Sequence, residues 1–222
     1  MKIIIATPRT GSTFYSRYLQ LENPNMKCLD EFFQYQFYPS GCSHYNVTTD
    51  RLSFINHNHI IKILVGKEID KRVWKKLINE HIPVTILKRK DIRRQILSFG
   101  LAAVNDMWVR YKTHVVGLRK KEIVADGALP YKRSIYSKEL FDNITYRIKK
   151  IEKVQNLLSV DKVLFYEDII NLKYNKNKFT EQIMPIKQNP IDNDKMLRFF
   201  NNAEELDNWI NNFIKTYQRK YL

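Results

Sequence analysis

The chain has 222 residues, 44% of them hydrophobic and 13% aromatic, enough apolar side chain to bury a core and too much for a disordered chain. Six Gly and seven Pro exclude a collagen-like repeat. Lys and Arg number 38 against 23 Asp and Glu, a formal charge of +15, which points to anionic partners or substrates such as nucleic acid, a nucleotide, or a sulfated or phosphorylated molecule; a Lys-rich solvated surface is the plainer account.

The run Lys2 to Ala6 is short, β-branched and apolar, bounded by Pro8 and Gly11, and predicts a buried strand. From Ser12 the spacing of Phe14, Tyr15, Tyr18, Leu19 and Leu21 predicts a helix that stops near Asn23-Pro24-Asn25. Ile60 to Val65, ended by Gly66, predicts a second strand. Ile69 to Glu80 has helical spacing through Val73, Leu77 and Ile78, and Val84 to Leu87 predicts a third strand. Asp91 can cap a helix from Ile92 onward, with Ile96, Leu97 and Leu101 on its apolar face. The stretch 113–137 holds Gly117, Arg119-Lys120-Lys121 and Gly127-Ala128-Leu129-Pro130 and reads as an excursion that covers a substrate or as a disordered segment. Leu140 to Leu158 predicts a long amphipathic helix, Lys162 to Phe165 a fourth strand, Lys173 to Asp194 loops, and Glu204 to Tyr217 a closing helix. Strands alternating with helices predict an α/β fold, a three-layer sandwich with a central parallel sheet, in a single domain over residues 1–222.

Cys28 and Cys42 are too few for a disulfide framework in a chain this long, which favours a reducing compartment. The opening apolar run ends at Ala6, far short of a signal-peptide core or a membrane span. The expectation is a cytoplasmic protein with no membrane anchor, in which Asn46-Val47-Thr48 and Asn143-Ile144-Thr145 carry no glycan.

Thr7-Pro8-Arg9-Thr10-Gly11-Ser12-Thr13 lies where the first strand turns into its helix, a place where free backbone N–H groups and the positive end of the helix dipole favour an anion. Gly11 permits a left-handed backbone, Ser12 and Thr13 offer hydroxyls, and Arg9 supplies a forked cation. The nucleotide-triphosphate loop Gly-x-x-x-x-Gly-Lys-Ser/Thr differs: Ala6 replaces its first Gly and Ser12 its Lys, which disfavours a kinase or ATPase. A plain strand-to-helix turn with an exposed Arg is the bland alternative.

Pro8-Arg9-Thr10-Gly11-Ser12-Thr13-Phe14 resembles the 5′-phosphosulfate loop of sulfotransferases, which use 3′-phosphoadenosine 5′-phosphosulfate (PAPS) and share a P-loop-NTPase-like α/β fold. Leu87-Lys88-Arg89-Lys90-Asp91-Ile92-Arg93-Arg94-Gln95-Ile96-Leu97-Ser98 is similar to the family's second element, a basic residue at a strand end and a Ser eight residues later on the next helix, both on the 3′-phosphate. Eight back from Ser98 is Lys90, where the family has Arg, and Arg89 is one residue further, so the resemblance leaves both as candidates. Ser98 lies roughly 10 Å of helical rise beyond the strand end. Asp30-Glu31-Phe32-Phe33 looks like the Glu-Tyr-Phe segment of the bacterial trehalose-2-sulfotransferase-like branch, which implies Glu31 as general base. Lys162 to Asp168 resembles the late strand and its Tyr-Glu-Asp turn.

The resemblance implies sulfuryl transfer from PAPS to a hydroxyl or amine of a carbohydrate or small metabolite, releasing adenosine 3′,5′-bisphosphate (PAP), with no metal. Arg9 and Glu31 would act in catalysis, and Arg9, Thr10, Gly11, Ser12, Thr13, Arg89, Lys90 and Ser98 would bind the donor. His57 and His59 compete with Glu31 as base, since other branches use a His near the second strand, and Lys62 lies either near the sulfonyl group or in solvent. Two other classes stay open: a P-loop kinase, and a basic nucleic-acid-binding module, which is disfavoured because no helix-turn-helix, finger or RNP motif is present. The acceptor's identity and the oligomeric state are not written in any motif.

Overall fold

The computed structural model describes residues 1–30, 58–66, 71–106, 109–110, 114–116, 121–123, 133–170, 172 and 192–221. In chain order the elements are β1 Lys2–Ala6, α1 Ser12–Glu22, β2 Lys27–Asp30, β3 His59–Leu64, α2 Lys71–Asn79, β4 Val84–Lys88, α3 Ile92–Val104, β5 Val109–Arg110, β6 His114–Val116, β7 Lys121–Ile123, α4 Lys138–Gln155, β8 Val160–Phe165, α5 Tyr166–Ile169, α6 Asn193–Leu197 and α7 Ala203–Tyr221. Two compact units divide the chain: Met1–Lys88 with Lys150–Tyr174, and Arg89–Lys149 with Asn175–Leu222.

The first unit is built on a five-stranded sheet in the order β2-β3-β1-β4-β8, with every pair parallel. Successive side chains of a strand point to opposite faces, so a central strand covered on both sides reads as a continuous apolar run. β1 follows this rule. Ile4 and Ala6 join Ile60, Leu64 and Leu87 against Tyr15 and Leu19 of α1 and Ile169 of α5. Ile3 and Ile5 join Ile61, Ile63, Val84 and Ile86 against Val73 and Leu77 of α2 and Ile151 and Val154 of α4. Helices therefore cover both faces of a central parallel sheet, and the expected α/β, three-layer arrangement is present.

α1 stops where the sequence placed its end: the Asn23 amide and its side-chain Nδ2 both donate to the Leu19 carbonyl, at 3.0 and 2.7 Å, and Pro24 disfavours further helix. β2 has no strand signal in the sequence, since Lys27-Cys28-Leu29-Asp30 carries only two apolar residues between charged ends. As an edge strand it has a single neighbour, β3, and needs less apolar cover. β8 starts two residues before the expected Lys162, because Val160 pairs with Val84 at the other, half-exposed edge and the register shifts between there and the pairing of Lys162 with Thr85.

In the second unit Asp91 caps α3 as expected, its Oδ1 accepting from the Arg94 amide at 2.8 Å. Ile96, Leu97, Phe99 and Leu101 of α3 pack with Phe141, Ile144 and Ile148 of α4, Met196 of α6, and Leu206, Ile210 and Phe213 of α7. Tyr136 lies at the centre of this core, fully buried, its hydroxyl donating to the Ile96 carbonyl at 3.1 Å. Burial pushes its phenol above the ordinary tyrosine range. The ring fills the space beside Gly100, where a Cβ would stand 1.8 Å from Tyr136 Cε2.

The residues leading to Tyr136 close the stretch read as an excursion, and they are tied to this core. The Ser134 amide donates to the Phe199 carbonyl, the Asn201 amide donates to the Ser134 carbonyl, and Asn202 bonds both the amide and the carbonyl of Tyr136. β6 and β7, from the same stretch, form a three-stranded antiparallel sheet with β5. Of the expected loops at 173–194, Asn193 and Asp194 open α6 and most of the rest lies outside the described residues. Among the described residues no helix is long and apolar enough to cross a membrane.

Candidate anion-binding site

From the carboxyl end of β1 the chain runs to β2 and β3 on one side of it, and after β4 it returns to the sheet as β8 on the other. In open α/β sheets ligands bind outside the carboxyl ends of the strands at this reversal. β1 and β4 are paired neighbours, from Ile3 with Val84 to Ala6 with Leu87, so Thr7 and Lys88 emerge side by side at one edge of the sheet. Both segments singled out in the sequence start from these two strand ends.

The loop after β1 is a tight, internally bonded turn. Pro8 has a fixed φ, Arg9 adopts φ 66°, and the Thr10 hydroxyl donates to the Thr7 carbonyl at 2.8 Å. A turn with Pro in its second position and positive φ in its third ordinarily takes Gly or Asn there. Arg9 holds that conformation at a cost of about 1–2 kcal/mol. Thr10 is fully buried, so its hydroxyl proton serves the turn itself. Gly11, at φ 71°, is the N-cap of α1 and contributes no side-chain cap, and the first turn of α1 holds no acidic residue. The opening amides of that helix are thus the natural partners of an external anion.

Lys62 completes this arrangement from the adjacent strand. It shares a face of β3 with Ile60 and Leu64, the face that packs on α1, and it is only 3% exposed. Its Nζ donates to Thr13 Oγ1, 2.9 Å away in the first turn of α1. Of the two placements open in the sequence, solvent is excluded. A signal was present: one Lys inside the apolar run His-Ile-Ile-Lys-Ile-Leu. An ammonium carried into the interior beside the positive end of a helix is stabilised by negative charge at that end.

The basic residues after β4 differ in environment. Lys88 forms an ion pair with Glu152 of α4 at 2.5 Å, both side chains 15% exposed, and its charge is matched within the first unit. Arg89 opens the second unit and is buried, Lys90 is exposed, and Ser98 is partly buried on α3. A buried guanidinium is held in place before any ligand arrives, whereas an exposed Lys has to be ordered.

Glu31 and His57 lie outside the described residues. Glu31 follows Asp30, the last residue of β2, which pairs with Lys62. His59 is the first residue of β3, while Leu64 at the other end of that strand is level with Ala6. At about 3.3 Å per residue His59 stands roughly 16 Å from the edge that carries the loop.

No family model, curated protein or solved structure matches the chain. The chemistry of the site rests on its own side chains.

One further contact was not legible in the sequence. Tyr166, the first residue after β8, lays its ring against Gly11: a Cβ built on Gly11 would meet Tyr166 Cδ2 at 2.7 Å, Tyr166 Cε2 at 3.1 Å and Ile169 Cδ1 at 3.1 Å. β8 is two strands away from β1, so only the sheet order brings the ring to the loop.

Proposed function

We propose that the chain is a PAPS-dependent sulfotransferase with a P-loop-like fold, acting on a hydroxyl or amine of a carbohydrate or small metabolite. The observation that carries this reading is the buried Lys62, whose ammonium meets the first turn of a helix entered through a strained Arg-Thr-Gly turn at the reversal point of a parallel sheet. The donor set suits a doubly charged phosphosulfate. Arg9, Lys62, Thr13 and the amides of Gly11 to Thr13 take the 5′-phosphosulfate, and the sequence resemblance is what assigns Arg89, Lys90 and Ser98 to the 3′-phosphate. In the transfer the bond from sulfur to the phosphate oxygen breaks, a bond from sulfur to the acceptor atom forms, and the acceptor proton passes to the Glu31 carboxylate, leaving PAP. The contribution of these residues is positioning and the stabilisation of spreading negative charge.

Calorimetric titration with PAP tests the reading. The unaltered chain should bind it, and Arg9→Ala together with Ser98→Ala should weaken binding about 100-fold, the expected loss of two hydrogen bonds to charged groups. Glu31→Gln should lower transfer of label from sulfur-35 PAPS while leaving PAP affinity nearly intact. Absence of binding at millimolar PAP would overturn the assignment. A second reading, a P-loop kinase, draws support from the same Lys62, which returns to the loop the cation that Ser12 removes; magnesium-dependent ATP turnover unaffected by PAP would favour it.

A further inference from the structure

We infer that Tyr166 is a positioning residue for the anion loop, its ring acting as the surface on which Gly11 is set. The inference rests on the anion-binding reading of the loop and adds to it the residue that follows the edge strand β8. The loop is held from within by the bond between the Thr10 hydroxyl and the Thr7 carbonyl. On the Gly11 side the wall consists of Tyr166 and Ile169, at distances where a Cβ could not stand without displacing the ring. Gly11 therefore answers two requirements at once: a left-handed φ of 71°, and the absence of any atom between backbone and ring. With Gly11 seated, the amides that open α1 have one direction. A binding site whose donors are fixed in advance loses little freedom when the anion arrives. Tyr166 also follows Phe165, which pairs with Lys88 at the end of β4, so its ring reaches past the β4 end to the loop after β1.

The test is a mutant cycle with two readouts, PAP affinity and amide hydrogen exchange at Arg9 to Thr13. Tyr166→Ala is expected to weaken PAP about tenfold and to speed exchange at Ser12 and Thr13 while the β1 amides keep their protection; Tyr166→Phe, which keeps the ring, should restore both. Gly11→Ala should weaken PAP at least tenfold, and in the Tyr166→Ala background its further effect should shrink severalfold, because the obstructing ring is gone. Strictly multiplicative losses, unchanged exchange in Tyr166→Ala, or a Tyr166→Phe chain as impaired as Tyr166→Ala would overturn the inference. If the unaltered chain fails to bind PAP, the sulfotransferase reading fails and the exchange measurements alone still decide the role of Tyr166.

Discussion

Arg9 stands under two opposed demands. Its left-handed backbone asks for glycine, while the proposed anion site asks for a cation, and the chain carries the cation at the cost of strain. Arg9→Gly separates the two: stability to urea should rise by about 0.5–1 kcal/mol, the relieved strain less the entropy of a new glycine, and PAP affinity should fall at least tenfold. A chain that loses stability on this change would show that the guanidinium is structural. Arg9 and Gly11 were legible as residues of the turn between β1 and α1, because residue type and position after a strand suffice to place them there. Thr10 was legible only as a hydroxyl, and its engagement with the Thr7 carbonyl required the turn. Lys62 could be read two ways, because which face of β3 is covered by α1 is a property of packing.

At the scale of elements the boundaries followed local chemistry closely. β1 has the expected ends, α3 begins after the expected cap, and α7 extends the expected helix to Ala203–Tyr221. β2 escaped notice because its stability comes from pairing with β3 and not from its own pattern. Gly100 likewise gave no local sign of its purpose inside a helix, where glycine is unfavourable by about 1 kcal/mol relative to alanine. Its purpose is Tyr136. Gly100→Ala places a methyl group on the ring of a fully buried side chain, and despite the gain in helix propensity it should lower stability to urea by about 2–3 kcal/mol. Unchanged or increased stability would mean that α3 can shift away from the ring at little cost.

For the whole molecule, the two compact units are interleaved in the sequence. The first unit is completed only by Lys150–Tyr174, which supplies β8 together with Ile151, Val154 and Ile169. A chain ending at Lys149 would leave β4 as a bare edge and uncover Ile86 and Leu87, so it should aggregate or lack a cooperative unfolding transition by circular dichroism and size-exclusion chromatography. A soluble, cooperatively folded fragment would contradict this account of the sheet. The sequence by itself determined the alternation of strands and helices, the parallel class of the sheet and the loop at residues 7–13, because period, caps and turn residues act over a few neighbours. Only the tertiary structure decided that β1 lies between β3 and β4, that Lys62 reaches Thr13, and that Tyr166 meets Gly11. These are contacts between residues far apart in the chain, made by the order in which strands pair, and no local pattern encodes that order.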